Sequence, residues 1–417
     1  MHHYIDWKYT SRVFNIVDKM IKEKYGENTK GGSLMNILHI TTFLQGGAGR
    51  IIYDLAKAQN RDGNAVVVVT SETLEPGYEN YEEYIVGLKH EGIPTYQIDS
   101  SFKRDLYLNL KMVEQVREII KLYDIDIIHA HAAIPALIGL IARQISNKYI
   151  PIVQTMHGYG LNKNLFQQEM DRIIMNGIDP VVAVSEDSKR ILIEKGVEQN
   201  RIQVIYNGIV EQYAPELEGD KELDLQEVIE WKNSNHMIFG CIGTVCEMKN
   251  QAFLLEAIKL VNNDIPNIRF VFIGEGDLLD KLRDLTVKYE LQDKVRFYGY
   301  KQNANEYLKY FDCLILPSKS EGFGMVIVEA FKEKVPVIAS DIDVFRELII
   351  NEKTGILFDL GDVKNLVKAI KKIVSIPPEV KKLMTQQAYE VYKRKFTFDI
   401  MKRKYDDLYI SLQHKSH

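Results

Sequence analysis

At 417 residues, and at about 150 residues per domain, the chain is long enough for two or three domains. Its 53 basic and 58 acidic residues give a formal charge of −5, without the basic excess of a dedicated nucleic-acid binder. Three cysteines (Cys241, Cys246, Cys313) exclude a disulfide framework or a four-cysteine zinc site, and no apolar run reaches the roughly 20 residues that span a bilayer. The opening residues lack the apolar core of a signal peptide, so the expectation is a soluble, cytoplasmic, multidomain enzyme.

Residues 1–34 do not read like the rest. Tyr9, Val13, Ile16, Val17, Met20 and Ile21 recur at helical spacing ahead of the polar tract KEKYGENTKGGS. Two readings stand for this leader. It is an amphipathic helix docking on the body or a membrane surface, or it lies upstream of a natural start at Met35. In a bacterial gene the codons of Lys30-Gly31-Gly32 can form a ribosome-binding site for that start.

From Met35 onward strand and helix alternate. Strands are predicted at NILHIT (36–41), AVVVVT (65–70), DIIHA (126–130), PIVQT (151–155), PVVAV (180–184) and QVIY (203–206), with helical stretches such as GRIIYDLAKAQN between them. Runs rich in Val and Ile, apolar on both faces, suit central strands of a parallel sheet covered by helices. Residues 35–208 therefore read as a doubly wound α/β domain. The acidic stretch 209–235 breaks the rhythm and reads as a linker with a short helix. The alternation restarts with MIFGCIG (237–243), RFVFIG (269–274), KVRFYG (294–299), DCLILPS (312–318) and VPVIAS (335–340), a second doubly wound domain over 236–380. Residues 381–417 read as a helical segment packing back on the first domain. Two such domains create a cleft at the carboxyl ends of their strands, where open α/β sheets bind ligands.

The chemistry concentrates in LPSKSEGFGMVIVEAFKEKVPVIAS (316–340). A buried strand ends at Pro317, and the loop Glu321-Gly322-Phe323-Gly324 leads into a helix from about Met325. The glycines permit close backbone approach, and free amides at the helix start favour an anion. Glu321 and Glu329 could accept hydrogen bonds from sugar and ribose hydroxyls. Taken alone, such a pair is more often a solvated loop residue and a helix former.

This segment resembles the signature of the retaining glycosyltransferases of the GT-B fold, the large family numbered four. Supporting segments follow in order over nearly all of 35–375: GGAGR (46–50), TMHGYG (155–160), VVAVSEDSK (181–189), VIYNGI (204–209), GTVCEMKN (243–250), FIGEGDLLDKL (272–282), VRFYGY (295–300) and TGILF (354–358). The resemblance implies two Rossmann-like domains facing across a cleft, with a nucleotide-diphosphate sugar held mainly by the second and the acceptor by the first. It implies Glu321 on the donor sugar hydroxyls, Glu329 on the ribose, and backbone at Gly322, Phe323, Gly324, Met325 and Val326 facing sugar and diphosphate. Lys249 matches the lysine that neutralises the departing phosphate. His157 would touch the donor sugar, and Gly46 and Gly47 form the first-domain glycine loop. It further implies retention at the anomeric carbon, no metal and no cofactor. The acceptor would be a glycan, a lipid-linked molecule or a small molecule of bacterial polysaccharide, glycolipid or glycoconjugate synthesis.

Two departures stand out. Thr244 occupies the place where the family usually has arginine, so the diphosphate loses a cation. Arg50, beside Gly46 and Gly47, is the candidate substitute. Gly49 stands where an acidic residue is common. His129 and His131 alternate on a strand and point to one face. The pair could hold zinc, but no third ligand of convincing spacing is visible, and acceptor or phosphate contact is the preferred role. Cys241 and Cys246 read as small core or loop residues. The segment KRKFTFDIMKRK (393–404) reads either as a helix packing on the first domain or as a peripheral membrane contact. Two other functions remain open: a GT-B sugar-nucleotide epimerase, and a degenerate donor-binding partner subunit, for which Thr244 is the only support.

Overall fold

The computed structural model describes residues 34–73, 78–99, 106–146, 148–160, 163–178, 180–211, 226–262 and 264–414. Residues 1–33, and with them both readings of the leader, and most of the acidic linker lie outside the described residues; the linker's end forms the helix Gln226–Asn233. Two all-parallel sheets organise the chain. The first contains β1 (Asn36–Thr41), β2 (Ala65–Ser71), β3 (Thr95–Ile98), β4 (Ile127–His131), β5 (Ile152–Met156), β6 (Val181–Ala183) and β7 (Ile202–Val204), in the order β3-β2-β1-β4-β5-β6-β7. The second contains β8 (Met237–Ile242), β9 (Ile268–Ile273), β10 (Val295–Phe297), β11 (Cys313–Leu316), β12 (Val337–Ser340) and β13 (Ile356–Phe358), in the order β10-β9-β8-β11-β12-β13.

The cause is visible in the strands themselves. Val66 to Val69 of β2 and Ile127 and Ile128 of β4 are buried, because helices cover both faces. A strand covered on one side only carries no such run, which is why β3 (TYQI) escapes a search for apolar stretches: it is an edge strand with Gln97 exposed. In both sheets the order reverses beside the first strand, between β1 and β4 and between β8 and β11. Loops leaving those strands flank a crevice, and the functional segments sit there.

The chain passes between domains twice, and the two passages are joined. Ile209 donates its amide to Phe396 O at 3.0 Å, and Phe398 donates to Ile209 O at 3.0 Å. Gly208 must be glycine here, since a Cβ would lie 2.3 Å from Thr397 O. The helix Pro378–Lys395 packs Ala388, Val391 and Tyr392 onto the second domain. The helix Phe398–His414 then lays Phe398, Met401, Tyr405 and Tyr409 against Ile37, Ile127, Val153 and Val182 of the first. Within KRKFTFDIMKRK, Phe396, Phe398 and Met401 are buried in this packing, while Ile400 is half-buried. Among the described residues no helix is long and apolar enough to cross a membrane.

Candidate active site

A cleft of about 1130 Å³ lies between the domains, above the roughly 300–1,000 Å³ of ordinary small-molecule pockets. Its walls carry Gly46, Gly47, Arg50 and His157 from the first domain and Thr244, Lys249, Glu321 to Val326 and Glu329 from the second. The sequence-predicted residues thus converge, with two exceptions, His129 and His131.

The second-domain wall is built by its loops. After β8, Gly243 adopts φ +148°, and the next turn ends at Asn250 in left-handed conformation (φ +57°), which starts the helix Gln251–Val261. Asn250 Nδ2 donates to Pro317 O at 3.2 Å and Lys319 N to Met248 O at 2.8 Å, tying this loop to the one after β11. The tie brings Lys249 onto Glu321, whose Oε1 accepts from both Lys249 Nζ and Ser318 Oγ (3.0 Å for the latter). Lys249 and Glu321 therefore neutralise each other's charge on this wall.

The helix Met325–Lys332 begins at Gly324, with φ +97° and no side-chain cap on its first turn. A Cβ at Gly324 would meet Phe345 at 2.8 Å, so backbone geometry and space both demand glycine. Met325 and Val326, which open this uncapped helix, line the cleft, and a helix start of that kind is a favourable place for phosphate. One turn on, Glu329 is held protonated more readily than an ordinary glutamate. Burial pushes its pKa up to about 7, opposed chiefly by the charge of Arg50.

The first-domain wall approaches closely. A Cβ at Gly47 would lie 3.4 Å from Met325 Cγ, and one at Gly322 only 2.0 Å from His157 O. Ser185 and Ser188 hydroxyls donate to Gly322 O, each at 3.1 Å, so the SEDS turn of the first domain holds the EGFG loop of the second. Glu347 accepts from the Glu186 and Asp187 amides at 2.9 and 2.6 Å, and Arg190 pairs with Asp343 at 2.8 Å. At the far lip Tyr300 donates to Glu83, and its ring packs edge-on against Tyr81.

Arg50 lies in the cleft wall with its Nε on Asp54 Oδ2 at 2.9 Å and its guanidinium 5.6 Å from the Tyr53 ring centre. Lys301 also lines the cleft, a third cation beside Arg50 and Lys249 and one that the sequence pattern did not single out. Asn207 was missed too: it is buried, lines the cleft, and its Oδ1 has no partner among the described residues. Gly49 has a packing cause, since a Cβ there would lie 2.6 Å from the Leu44 carbonyl carbon. Cys241 and Cys313 are buried thiols with pKa pushed up by burial, to about 12 for Cys241, and Cys246 is half-buried and free.

His129 and His131 stand behind the cleft wall, 0% and 5% exposed, so acceptor or phosphate contact is not their role. The third histidine that spacing did not reveal is His39, aligned with His129 across the β1–β4 ladder. Its signal was one polar residue inside the apolar run NILHIT. Nitrogen atoms of the three lie within 4.8 Å of one another. Each of their six ring nitrogens is nevertheless hydrogen-bonded within the protein.

Comparison with known proteins fits this geometry. The family "Glycosyltransferase Family 4" matches residues 45–213, and "Glycosyl transferases group 1" matches residues 225–391. The chain belongs to the group 1, family 4 glycosyltransferases. Its glycosyltransferase relatives include the UDP-Gal:alpha-D-GlcNAc-diphosphoundecaprenol alpha-1,3-galactosyltransferase of Escherichia coli, 28% identical over 79% of this chain and 90% of that protein. The N-acetyl-alpha-D-glucosaminyl L-malate synthase of Bacillus anthracis is 25% identical over 87% and 93%. In fold, this glycosyltransferase superposes on Anabaena HepE in complex with UDP-glucose with a TM-score of 0.76, at 20% identity over 90% of this chain and all of that one. A Rickettsia africae glycosyltransferase gives 0.75 at 23% identity, covering 91% and 98%. Both are GT-B neighbours, and the two doubly wound sheets are that fold.

Proposed function

We propose that this glycosyltransferase moves a sugar, with retention at the anomeric carbon and without a metal, from a nucleoside diphosphate sugar to an acceptor hydroxyl. The observation that carries this reading is the convergence of Lys249, Glu321, the uncapped Met325–Lys332 helix start and Glu329 on one wall, with His157 on the other. The groups gathered on this wall suit the parts of such a donor. Glu329 accepts the ribose hydroxyls, the amides of Met325 and Val326 hold the diphosphate, Lys249 meets the leaving phosphate, and Glu321 takes the sugar hydroxyls.

On donor binding Lys249 exchanges Glu321 for phosphate, and Glu321 is left to accept from the sugar. The leaving phosphate oxygen then takes the acceptor proton on the same face, so neither glutamate acts as a glycosidase acid or nucleophile. Lysine and helix amides supply the charge stabilisation that a metal supplies elsewhere. Uridine as the base and a lipid-diphosphate-linked acceptor are the first choices, because the E. coli relative carries both in its name and the HepE structure contains UDP-glucose. A peripheral position at the inner membrane face would follow from such an acceptor. Screening UDP-sugars by thermal shift, then following nucleoside diphosphate release and product mass with candidate acceptors in EDTA, tests the reading. Transfer in EDTA is expected. Isomerised donor without transfer would favour the epimerase, and binding without any turnover the degenerate subunit.

A further inference from the structure

The histidines behind the cleft form a continuous chain that ends at the site. Gln59 Oε1 meets His39 Nε2 at 2.8 Å, His39 Nδ1 meets His131 Nε2 at 3.0 Å, and His131 Nδ1 meets His157 Nε2 at 3.1 Å. His39, His131 and Gln59 are 0–5% exposed. The chain therefore runs from the last turn of the helix Gly46–Arg61, across β1 and β4, to the loop after β5.

The order of protons along it is determined. A neutral imidazole has one donor and one acceptor nitrogen, and an amide oxygen only accepts. Gln59 Oε1 accepts, so His39 carries its proton on Nε2 and offers Nδ1. His131 must then donate from Nε2, and its bare Nδ1 must accept from His157 Nε2. His157 is left with a bare Nδ1, the atom that is shielded from solvent and has no partner among the described residues. All links require neutral rings. Burial provides them, lowering the pKa of His39 and His157 to about 4 and of His131 well below its usual value.

Gln59 is the selector because it is held from its other side. Its Nε2 donates to Tyr409 OH at 3.4 Å, and that hydroxyl lies 2.6 Å from His129 Nδ1. Turning the amide over would reverse every proton in the chain and present an N–H on His157 Nδ1 instead. Two proton orders exist, and the position of one buried amide chooses between them.

We propose that Gln59, His39 and His131 are positioning residues that fix His157, whose ring lines the cleft, in its Nε2–H tautomer, and that donor binding shifts the covering loop so that Nδ1, shielded in this arrangement, accepts from a hydroxyl of the donor sugar. This rests on the reading that His157 touches that sugar. Of the three buried histidines near enough to ligate a metal, His39 and His131 keep both nitrogens in this chain, and His129 keeps its own on Thr155 and Tyr409.

The first test needs neither a variant nor a substrate. In 15N-histidine-labelled wild-type protein, the ring nitrogens of His157 should report a protonated Nε2 and a bare Nδ1. A protonated Nδ1, or zinc retained by the protein and bound to His39, His129 and His131, overturns the proposal. The second is Gln59→Met, nearly isosteric but unable to select a proton order. His157 should then show mixed tautomers, and kcat/KM for the UDP-sugar found by screening should fall about tenfold, the worth of one hydrogen bond. Inhibition by UDP, which lacks the sugar, should be unchanged. An unaltered His157 tautomer in Gln59→Met contradicts the relay. If His157→Ala turns over normally while the tautomer is as stated, the substrate-contact reading of His157 has failed and the relay has not.

Discussion

Replacing Gly322 by alanine puts a methyl group where the two domains touch. The new Cβ would lie 2.0 Å from His157 O, 3.0 Å from His157 C and 3.2 Å from the Gly158 Cα. Carbon does not approach a carbonyl oxygen closer than about 3 Å, so loop and carbonyl must part by about 1 Å. Neither atom belongs to a flexible side chain that could step aside. The cheapest relief is separation of the walls, which also stretches the Ser185 and Ser188 hydrogen bonds to Gly322 O. A displacement of that size at reacting groups costs about 100-fold in rate, or about 2.7 kcal/mol of transition-state stabilisation. The cores of both domains are untouched, so the melting temperature should move little. The assay is steady-state release of nucleoside diphosphate, with Gly160→Ala as control, because its nearest neighbour is Lys163 Cε at 3.7 Å. Gly322→Ala with wild-type kcat/KM would refute the claim that this contact sets the catalytic geometry.

Three further outcomes follow from the same wall. Lys249→Met should lower kcat by about 10²–10³, as expected for a lost charge at the leaving group, with the fold retained in circular dichroism; a loss below about threefold contradicts the assignment. Glu329, with its pKa pushed up to about 7, is largely neutral below that pH and accepts ribose hydroxyls best when ionised. UDP affinity measured by calorimetry should therefore rise as pH increases toward 7 and level off above it, and in Glu329→Gln this pH dependence should vanish; an unchanged profile in that variant would assign the titration elsewhere. Arg50→Ala should weaken UDP binding several-fold if Arg50 compensates for Thr244, and unchanged affinity would move that role to another cation, with Lys301 next to be tested.

Sequence pattern revealed most of the fold because both sheets bury their strands on two faces, and buried runs such as AVVVVT and DCLILPS cannot be mistaken for solvated segments. The edge strand β3 was illegible for the opposite reason. The second-domain wall of the cleft was equally legible, since Lys249, Glu321, Gly324 and Glu329 sit on two loops and one helix start that are each local in the chain. What spacing could not convey is contact across elements. His39, Gln59, His131 and Tyr409 come from four separate elements, and only the sheet register and the returning C-terminal helix bring them together. Arg50 is the opposite case: its pairing with Asp54 is an i,i+4 contact within one helix, legible in the spacing, and it reduces the readiness of Arg50 as a phosphate cation. A chain carrying so mild a net charge still builds a cleft with Lys249, Arg50 and Lys301 along its walls.

The central claim is retaining transfer from a nucleoside diphosphate sugar, and the anomeric configuration of the first-formed product tests it most directly. With an α-linked UDP-sugar as donor, proton NMR recorded during turnover should show an α-linked product from its first appearance. A β-linked product would contradict the account.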